Sequence, residues 1–415
     1  MTDARRSNRQ MGKHQPREPR RETQFDSGRG HEPAKQLQTS DLLGLYRPDI
    51  ADLLDQVGAP AFRTGQILEH LLRRPGQSLE TASNLPLDIR RPLEALGAST
   101  LTQAGSVSSD DGTTKLLLKT ADGLAIETVV MRYRDRVTAC ISSQVGCPVG
   151  CAFCATGALG LARNLSAAEI VDQVRMAAVI AEQEQRRLSN LVYMGMGEPL
   201  LNLQAVIDSI RIVSDARGMN LSHRGISVST VGIPAGIIRL GRAEPQINLA
   251  ISLHAADDRI RAQLVPDRFR HPLATVLESA WEHFEITRRK LLIEYVLIGG
   301  VNDLPEHARR LAGLLRGHVV VVNLLAWNPV SPSPVTCDAL DSRRSPRTPV
   351  GVRESREKTP RGHQEFRAPT PEAVAAFRHI LASVNIEVVL RQSKGSRIQA
   401  ACGQLAARER SYRGK

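Results

Sequence analysis

From about residue 136 to residue 391, short aliphatic runs alternate with longer segments that have the periodicity of helices. One of these helices is expected to begin at Ser166, where Glu169 completes a capping box. Strands that alternate with helices form a parallel sheet with the helices outside it. Roughly six such units predict an α/β fold with an open, partial (β/α)6 barrel rather than a full eight-stranded barrel. The predicted strands are 136–142, 191–195, 225–230, 247–253, 291–297, 319–325 and 386–391.

The region before the predicted barrel has a different pattern. Leucines and isoleucines recur at helical spacing in residues 40–105, which predicts a small N-terminal helical domain. A strand pair follows at 114–118 and 125–130, divided by a turn that contains a glycine. We assign residues 106–412 to the barrel core, so that this strand pair opens it.

Two segments are expected to lie outside the folded core. Residues 1–39 are rich in Arg, Gln, Ser and Gly and nearly devoid of large apolar side chains, so we predict a disordered basic tail. The stretch 331–368 is rich in Pro, Ser and Arg and predicts a surface loop or a disordered insertion. Cys337 lies in this insertion and is expected to be an incidental thiol.

Three cysteines, Cys147, Cys151 and Cys154, form a loop directly after the first predicted barrel strand. Ligands of open parallel sheets gather at the carboxyl ends of the strands. Three thiolates cannot complete a structural zinc site, which uses four protein ligands. They can hold three irons of a [4Fe-4S] cluster and leave the fourth iron open. A disulfide loop or a chance cluster is the alternative, but the N-terminus has no apolar secretory signal.

The charge of the chain limits the class of its partner. Lys and Arg number 55 against 43 Asp and Glu, which gives a formal net charge of +12. This balance favours a polyanionic partner, most simply nucleic acid, although a merely basic soluble enzyme is the alternative. No run of eighteen apolar residues is present, so we expect no membrane span. Six cysteines, three of them at the spacing of a cluster loop, indicate a location in the reducing cytoplasm.

The cysteine loop, with Phe153 before its last cysteine and Ala-Thr-Gly after it, resembles the signature of the radical S-adenosylmethionine (SAM) enzymes. Further motifs resemble the RlmN/Cfr family of dual-function RNA methyltransferases, and they cover the chain from about residue 41 to 408 except the insertion. These motifs are Cys140 to Cys147, Arg163-Asn164-Leu165, Met194 to Pro199, Ser252 to Ala255, Asn323, Trp327-Asn328-Pro329 and Ala401 to Leu405.

The resemblance implies a two-step chemistry with a [4Fe-4S] cluster and SAM as cofactors. One SAM methylates Cys402, and a second yields a 5′-deoxyadenosyl radical that removes hydrogen from the new S-methyl group. The carbon radical adds to adenine, and Cys140 then resolves the adduct through a disulfide with Cys402. Glu127 matches the proposed proton acceptor of the family, although a glutamate at a strand edge is commonly just solvated.

The SAM site is predicted partly from the residues and partly from the resemblance. Gly195 and Gly197 let the backbone approach a ligand closely, and Glu198 can accept hydrogen bonds from the SAM ammonium group. By resemblance, residues at or near strand ends join this site, although the histidine among them could be an ordinary core residue. These residues are Ser229, Ser252, Leu253, His254 and Asn323.

The resemblance also implies the substrate, which is carbon 2 of adenine 2503 in 23S rRNA, and in some members adenine 37 of certain tRNAs. Methylation of carbon 8 of the same adenine, as in the Cfr branch, is the first alternative. The motifs around Met196 and Trp327 look closer to RlmN. A non-catalytic iron–sulfur protein that binds RNA is the second alternative. We further expect a monomer that positions RNA with its helical domain and receives electrons from a flavodoxin or ferredoxin.

Overall fold

The computed structural model describes residues 39–330 and 366–407. The predicted tail, apart from Thr39, lies outside these residues, as do Cys337 and nearly all of the predicted insertion. The described chain is a mixed α/β structure, and the predicted fold class is confirmed. None of its helices combines the length and the apolar character that a membrane crossing requires.

Ten strands form one sheet, in the order β1-β2-β3-β4-β7-β8-β9-β10-β11-β12, and the strands β5 and β6 form a separate hairpin. The seven strands from β4 to β12 in this order are all parallel. The strands are β1 Leu101–Ser109, β2 Thr113–Thr120, β3 Ala125–Arg132, β4 Val137–Cys140, β5 Gln144–Gly146, β6 Leu161–Asn164, β7 Leu188–Tyr193, β8 Ile226–Thr230, β9 Asn248–Ser252, β10 Leu291–Leu297, β11 Val320–Ala326 and β12 Glu387–Leu390.

Helices connect the parallel strands and cover the outside of the sheet. The predicted capping box is present, since Ser166 accepts from the backbone N–H of Glu169 and Glu169 accepts from that of Ser166. The helices are α1 Thr39–Tyr46, α2 Pro48–Gln56, α3 Phe62–Arg73, α4 Leu87–Leu96, α5 Ala155–Ala158, α6 Ala167–Gln183, α7 Leu203–Ser214, α8 Pro234–Ala243, α9 Asp258–Leu264, α10 Leu273–Thr287, α11 Pro305–Leu315 and α12 Pro371–Ala382.

All nine predicted strands are present within a few residues of the predicted bounds, because their buried aliphatic runs are distinctive. The strand β1 was missed. It lies at the edge of the sheet with most of its side chains wholly or partly exposed, so small polar residues replace the apolar alternation that marks a strand. It pairs antiparallel with β2, and β2 with β3, so a three-stranded meander precedes the parallel sheet.

The helices α1 to α4 attach to the sheet layer through buried polar contacts as well as apolar packing. The Tyr46 hydroxyl donates to Asp172 Oδ1 at 2.7 Å, and the Thr100 hydroxyl donates to Asp172 Oδ2 at the same distance. Arg175 donates to Asp172 and to the carbonyl oxygens of Leu71 and Ala98. Since buried polar groups are costly unless they are fully bonded, these contacts fix the helices on α6 in one arrangement.

Candidate active site

Two cavities meet at Cys402. The first, of about 170 Å³, is lined by the three loop cysteines and by the ends of β8, β9 and β10. The second, of about 620 Å³, is lined by Cys140, by β3, β4 and β7, and by the segment that follows β12. Cys402 lines both cavities, as do Met194, Leu325 and Arg391. We call them the cluster cavity and the Cys140 cavity.

The cysteine loop is braced by backbone contacts from several directions. The Cys147 N–H donates to the Gly160 carbonyl at 2.7 Å, and the Cys154 N–H donates to the Cys151 carbonyl at 3.1 Å. Burial, with a smaller contribution from the nearby Cys154, raises the pKa of Cys147 to about 12. Burial and the same mutual repulsion raise the pKa of Cys151. Three thiolates can therefore share this loop only beside a compensating cation.

These three thiols fit an iron–sulfur cluster. Within the described ranges, no three His, Cys, Asp or Glu side chains are close enough together to hold a single metal ion. In a cubic cluster each thiolate binds a different iron, and the irons supply the positive charge that the repelling thiolates require. Cys147, Cys151 and Cys154 are therefore suited to hold the cluster, whose chemistry is the one-electron cleavage of SAM.

Glu198 lies in the wall of the cluster cavity and is almost fully buried. Its carboxylate accepts hydrogen bonds from the backbone N–H groups of Val231 at 2.8 Å and Leu200 at 3.1 Å. Burial nevertheless raises the pKa of Glu198 to about 7. A buried carboxylate with lone pairs to spare is suited to an ammonium group.

The two glycines before Glu198 have a packing role as well as a place in the cavity wall. A Cβ atom on Gly195 would lie 2.6 Å from the Ile141 carbonyl oxygen, and one on Gly197 would lie 2.7 Å from Ser143 Oγ. Gly197 also has a φ of +106°, which side chains disfavour. Because neither glycine has a side chain, their loop packs closely against the chain between β4 and β5, and this contact fixes the two loops relative to each other.

Three of the residues predicted from the resemblance line the cluster cavity: Ser229, Ser252 and His254. The hydroxyls of Ser229 and Ser252 are hydrogen-bonded at 2.9 Å. His254 has a φ of +57°, its Nδ1 accepts from the Val296 N–H at 3.2 Å, and its ring packs edge-on against Phe153. Burial lowers the pKa of His254 to about 3, so the ring is neutral. A strained, neutral histidine in a cavity wall is typical of a ligand contact.

Two other predicted residues do not line the cavity. Leu253 is fully buried, and its backbone N–H donates to the Glu294 carbonyl at 3.1 Å. Asn323 lies behind the wall, where its side-chain amide donates to the Glu294 carboxylate at 2.8 Å. In the register of β9, β10 and β11, Glu294 stands opposite both Ser252 and Asn323. Asn323 thus orients a carboxylate of the cavity.

Residues 399–406 form the thiol segment, which carries Cys402 between the two cavities. The Ala155 N–H donates to the Gly403 carbonyl at 2.7 Å, which joins the segment to the residue after the last loop cysteine. Asn328 donates to the Cys402 carbonyl at 3.4 Å. Cys402 is an exposed residue that lines both cavities, and desolvation by the protein around its thiol raises the pKa of that group.

A buried ion pair holds the two ends of the thiol segment. Lys115 Nζ lies 2.9 Å from Glu127 Oε1, and both side chains are almost fully buried. Lys115 also donates to the Gln399 carbonyl at 3.1 Å, while the Ala406 N–H donates to Glu127 Oε2 at 2.8 Å. Glu127 is not among the residues that line either cavity. The ion pair of Glu127 and its hydrogen bond with Ala406 instead help to fix the segment that carries Cys402.

Cys140 ends β4 and faces the Cys140 cavity. Burial and the neighbouring Cys402 raise its pKa to about 12, whereas Arg391 acts in the opposite direction. The five cysteines of the described ranges are all free thiols, so the structure does not support a standing disulfide between Cys140 and Cys402. The two thiols nevertheless share one cavity wall.

Sequence reasoning missed three charged residues around this site: Lys115, Glu294 and Arg391. Two of them had a detectable signal. Glu294 is the single charge in the apolar strand LLIEYVL, and Arg391 comes at the carboxyl end of a predicted strand. Lys115 gave none, because its partners Glu127 and Gln399 are distant in sequence.

Comparison with known proteins gives consistent results. The Radical SAM superfamily model matches residues 141–312. A protein of Frankia alni named "Probable dual-specificity RNA methyltransferase RlmN" is 44% identical over 377 residues, which cover 88% of this chain and 83% of the relative. One of the same name from Moorella thermoacetica is 40% identical over 378 residues, covering 89% and 98%. A crystal structure of a radical SAM methyltransferase from Sphaerobacter thermophilus has a TM-score of 0.77 and 38% identity, covering 91% of this chain and all of that one.

Proposed function

This chain belongs to the RlmN family of radical SAM RNA methyltransferases, and on that basis we propose that it methylates carbon 2 of an adenine in RNA. The proposed substrate is adenine 2503 of 23S rRNA, with adenine 37 of tRNAs as a second target. The observation that carries the proposal is the position of Cys402 in the walls of two cavities, one with the three loop cysteines and the other with Cys140. A thiol so placed can receive a methyl group on one side and deliver it on the other.

The cluster and SAM, when bound, supply a methyl group and a 5′-deoxyadenosyl radical. The Cys402 thiolate takes the methyl group from the SAM sulfonium, which leaves S-adenosylhomocysteine. The S-methyl group of Cys402 next loses one hydrogen atom to the radical derived from a second SAM. Its carbon then bonds to carbon 2 of the adenine. This route is needed because that carbon is not nucleophilic and cannot accept a methyl cation.

Two further residues, Glu127 and Cys140, are proposed to act in the release of the methylated RNA. The adduct loses one electron, which the cluster oxidised during SAM cleavage would take back, and the carbon-2 proton, for which Glu127 is the proposed acceptor. The Cys140 thiolate then attacks the Cys402 sulfur, the bond from that sulfur to the methylene carbon breaks, and the carbon keeps the electron pair and takes a proton. The resulting transient disulfide must be reduced by an external thiol before the next turnover. The contacts of Glu127 support an additional role in holding the thiol segment.

Proposed ligands fill the cluster cavity from several sides. Cys147, Cys151 and Cys154 would hold the cluster. Glu198 would accept the SAM ammonium group, and Ser229, Ser252 and His254 would contact SAM. Gly197 lies in the wall, while Leu253 and Asn323 support it through their hydrogen bonds to Glu294. We propose that a flavodoxin or ferredoxin donates the electron and that the protein acts as a cytoplasmic monomer, with α1 to α4 positioning the RNA.

Mass spectrometry of adenosines tests this function. The reconstituted protein would be incubated without oxygen with a 23S rRNA fragment, a reductant and methyl-labelled SAM, and with Cys402→Ala protein as the control. We expect label in 2-methyladenosine with the wild type only. Label in 8-methyladenosine would move the protein to the Cfr type of activity. SAM cleavage without labelled RNA would refute the substrate assignment, and an unimpaired Cys402→Ala variant would favour a non-catalytic role of that cysteine.

A further inference from the structure

Two cations lie over one tyrosine ring in the wall of the Cys140 cavity. Tyr133 follows β3 directly, in the turn that leads to β4. The Arg136 guanidinium carbon lies 4.3 Å from the centre of the Tyr133 ring, and Lys394 Nζ lies 4.7 Å from it. All three residues line the cavity. Lys394 comes from the segment after β12, so this cluster joins the two opposite edges of the parallel sheet.

The position of Lys394 is fixed by the backbone around it. Its Nζ donates to the carbonyl oxygens of Asp111 at 2.6 Å and Arg132 at 2.7 Å. A lysine ammonium has three N–H donors. Among the described residues, these two carbonyls and the Tyr133 ring contact the ammonium group. The Asp111 carboxylate nearby accepts instead from the backbone N–H groups of Gly395 and Thr113.

A backbone hydrogen bond within its own turn fixes Arg136, and its positive charge is only weakly offset by a carboxylate. The Tyr133 N–H donates to the Arg136 carbonyl at 2.9 Å. The guanidinium also contacts Asp135 at 3.2 Å, but this pair is well exposed to solvent and therefore weak. An aromatic ring attracts a cation without neutralising it. Tyr133 thus holds two cations close together, with one carboxylate near each of them, Asp135 beside Arg136 and Asp111 beside Lys394.

The remaining charged side chain in the lining of the Cys140 cavity is also positive. Besides Arg136 and Lys394, the Cys140 cavity contains Arg391, and no carboxylate lines it among the described residues. The cluster cavity differs, because Glu198 and Glu294 line it. A cavity that gathers cations toward two thiols is suited to an anionic ligand that brings a reactive group to those thiols.

We propose that Tyr133, Arg136 and Lys394 form a phosphate clamp that binds the RNA backbone beside the adenosine inserted into the Cys140 cavity. This inference rests on the proposed function and extends it to a binding site. Tyr133 positions the two cations, and the cations bind the phosphates that flank the extruded nucleotide. An enzyme that must take a base out of its stack needs such backbone contacts to hold the strand.

The salt dependence of RNA binding tests the clamp separately from catalysis. The probe is a fluorescent hairpin of the 23S rRNA segment around adenine 2503, titrated by anisotropy at several KCl concentrations. Each phosphate contact with a single strand contributes about 0.7 to the slope of log K against log salt. We expect Arg136→Gln and Lys394→Gln each to lower the slope by about that amount and to weaken binding on the order of fivefold.

A tyrosine variant is the sharpest test, because it leaves the net charge unchanged. Tyr133→Leu should weaken binding and lower the slope, whereas Tyr133→Phe, which keeps the ring, should match the wild type. Arg134→Gln is the matched control, since Arg134 is an exposed arginine in the same turn that does not line the cavity. Methylation of Cys402 in the absence of RNA should be unchanged in the Arg134→Gln control.

The outcomes separate the clamp from the proposed reaction. Equal effects of Arg134→Gln and Arg136→Gln would show diffuse attraction and overturn the clamp, as would a wild-type slope for Tyr133→Leu. If the slopes change as expected but the wild type forms no methyladenosine, the clamp stands and the proposed reaction fails. If methyladenosine forms and the slopes stay unchanged, the reaction stands and the clamp fails.

Discussion

The two cavities that meet at Cys402 share part of their walls but differ in their charged residues. The cluster cavity contains the carboxyl groups of Glu198 and Glu294 together with Arg391, while the Cys140 cavity contains three cations, Arg391 among them, and no described carboxylate. SAM carries an ammonium and a sulfonium group, whereas RNA is a polyanion. On the proposed function, this difference places SAM and RNA in separate cavities, and each substrate would reach the thiol from its own side.

Arg391 marks the boundary between the cavities. It lines both of them, lies 3.6 Å from the Glu294 carboxylate and contacts the Met194 sulfur at the same distance. The boundary is therefore a charge pair made by β10 and the end of β12. A variant that tests the difference between the two cavities should change the residues of one cavity and leave those of the other intact.

Replacing the thiol between the cavities should have the largest effect. We expect Cys402→Ala to abolish RNA methylation, because the methyl group has no carrier from one cavity to the other. The loop cysteines stay in place, so absorbance of the cluster and reductive cleavage of SAM should persist. Cys154→Ala is the contrasting variant, which should lose the cluster and both activities. Residual methylation by Cys402→Ala would show that the cavities communicate without this thiol.

Breaking the ion pair behind the thiol segment should have the next largest effect. Lys115→Met leaves the Glu127 carboxylate buried without its ammonium partner, which typically costs about 3–5 kcal/mol of unfolding free energy. Chemical denaturation measures this loss. Methylation of Cys402 should also slow, because the Gln399 end of the segment loses its contact with Lys115.

A double variant separates the two consequences. Lys115→Met with Glu127→Gln removes both charges but keeps an acceptor for the Ala406 N–H, so most of the stability should return. If the double variant is as unstable as Lys115→Met alone, the pair does not act as a unit. If it is stable but still methylates Cys402 slowly, the ion pair has a positioning role for the thiol.

The sequence predicted the cluster cavity better than the Cys140 cavity, for a physical reason. Two local motifs of the cluster cavity, the cysteine loop and the stretch around Glu198, can be found from the residues themselves, and the resemblance adds Ser229, Ser252 and His254 to its wall. The Cys140 cavity is formed by β3, β4, β7 and the segment after β12, which meet only in the folded sheet. No local pattern places Lys394 beside Tyr133.

Burial explains the other differences between prediction and structure. Glu127 looks like an exposed strand-edge residue in the sequence, yet it is fully paired inside the protein, because Lys115 stands two residues from its cross-strand partner Leu117. Asn323 was predicted to contact SAM, yet it reaches the cavity only through Glu294. Charged residues in buried strands were thus the signal that deserved most weight here.

The buried carboxyl group of Glu198 in the cluster cavity predicts a pH dependence of SAM binding. Burial raises the pKa of Glu198 to about 7, so the group is ionised above that pH and protonated below it. Only the ionised form accepts the SAM ammonium group, so the affinity for SAM should fall about tenfold between pH 8 and pH 6. His254 does not titrate in this window, since its pKa is lowered to about 3.

Calorimetric titration with SAM at several pH values measures this effect. The pKa of Glu294 is also raised by burial, so Glu198→Gln is needed to assign the titration. That variant should bind SAM weakly and with a flat profile between pH 6 and pH 8. A profile that keeps its full slope in Glu198→Gln would assign the titration to another group and remove Glu198 from the ammonium site.

Replacing Arg391, the cation at the boundary between the two cavities, should have the smallest effect. Burial raises the pKa of both Cys140 and Cys402, and the Arg391 charge offsets part of that rise. Arg391→Met should therefore shift the pH profile of Cys402 alkylation by iodoacetamide upward and slow the reaction about threefold at pH 8. Arg391→Lys, which keeps the charge, should restore most of the rate. Arg136→Gln is the control, because the Arg136 guanidinium lies over the Tyr133 ring and lines only the Cys140 cavity, whereas Arg391 lines both cavities. An equal shift in both variants would mean that the thiols respond to the net charge of the cavity rather than to the guanidinium at its boundary.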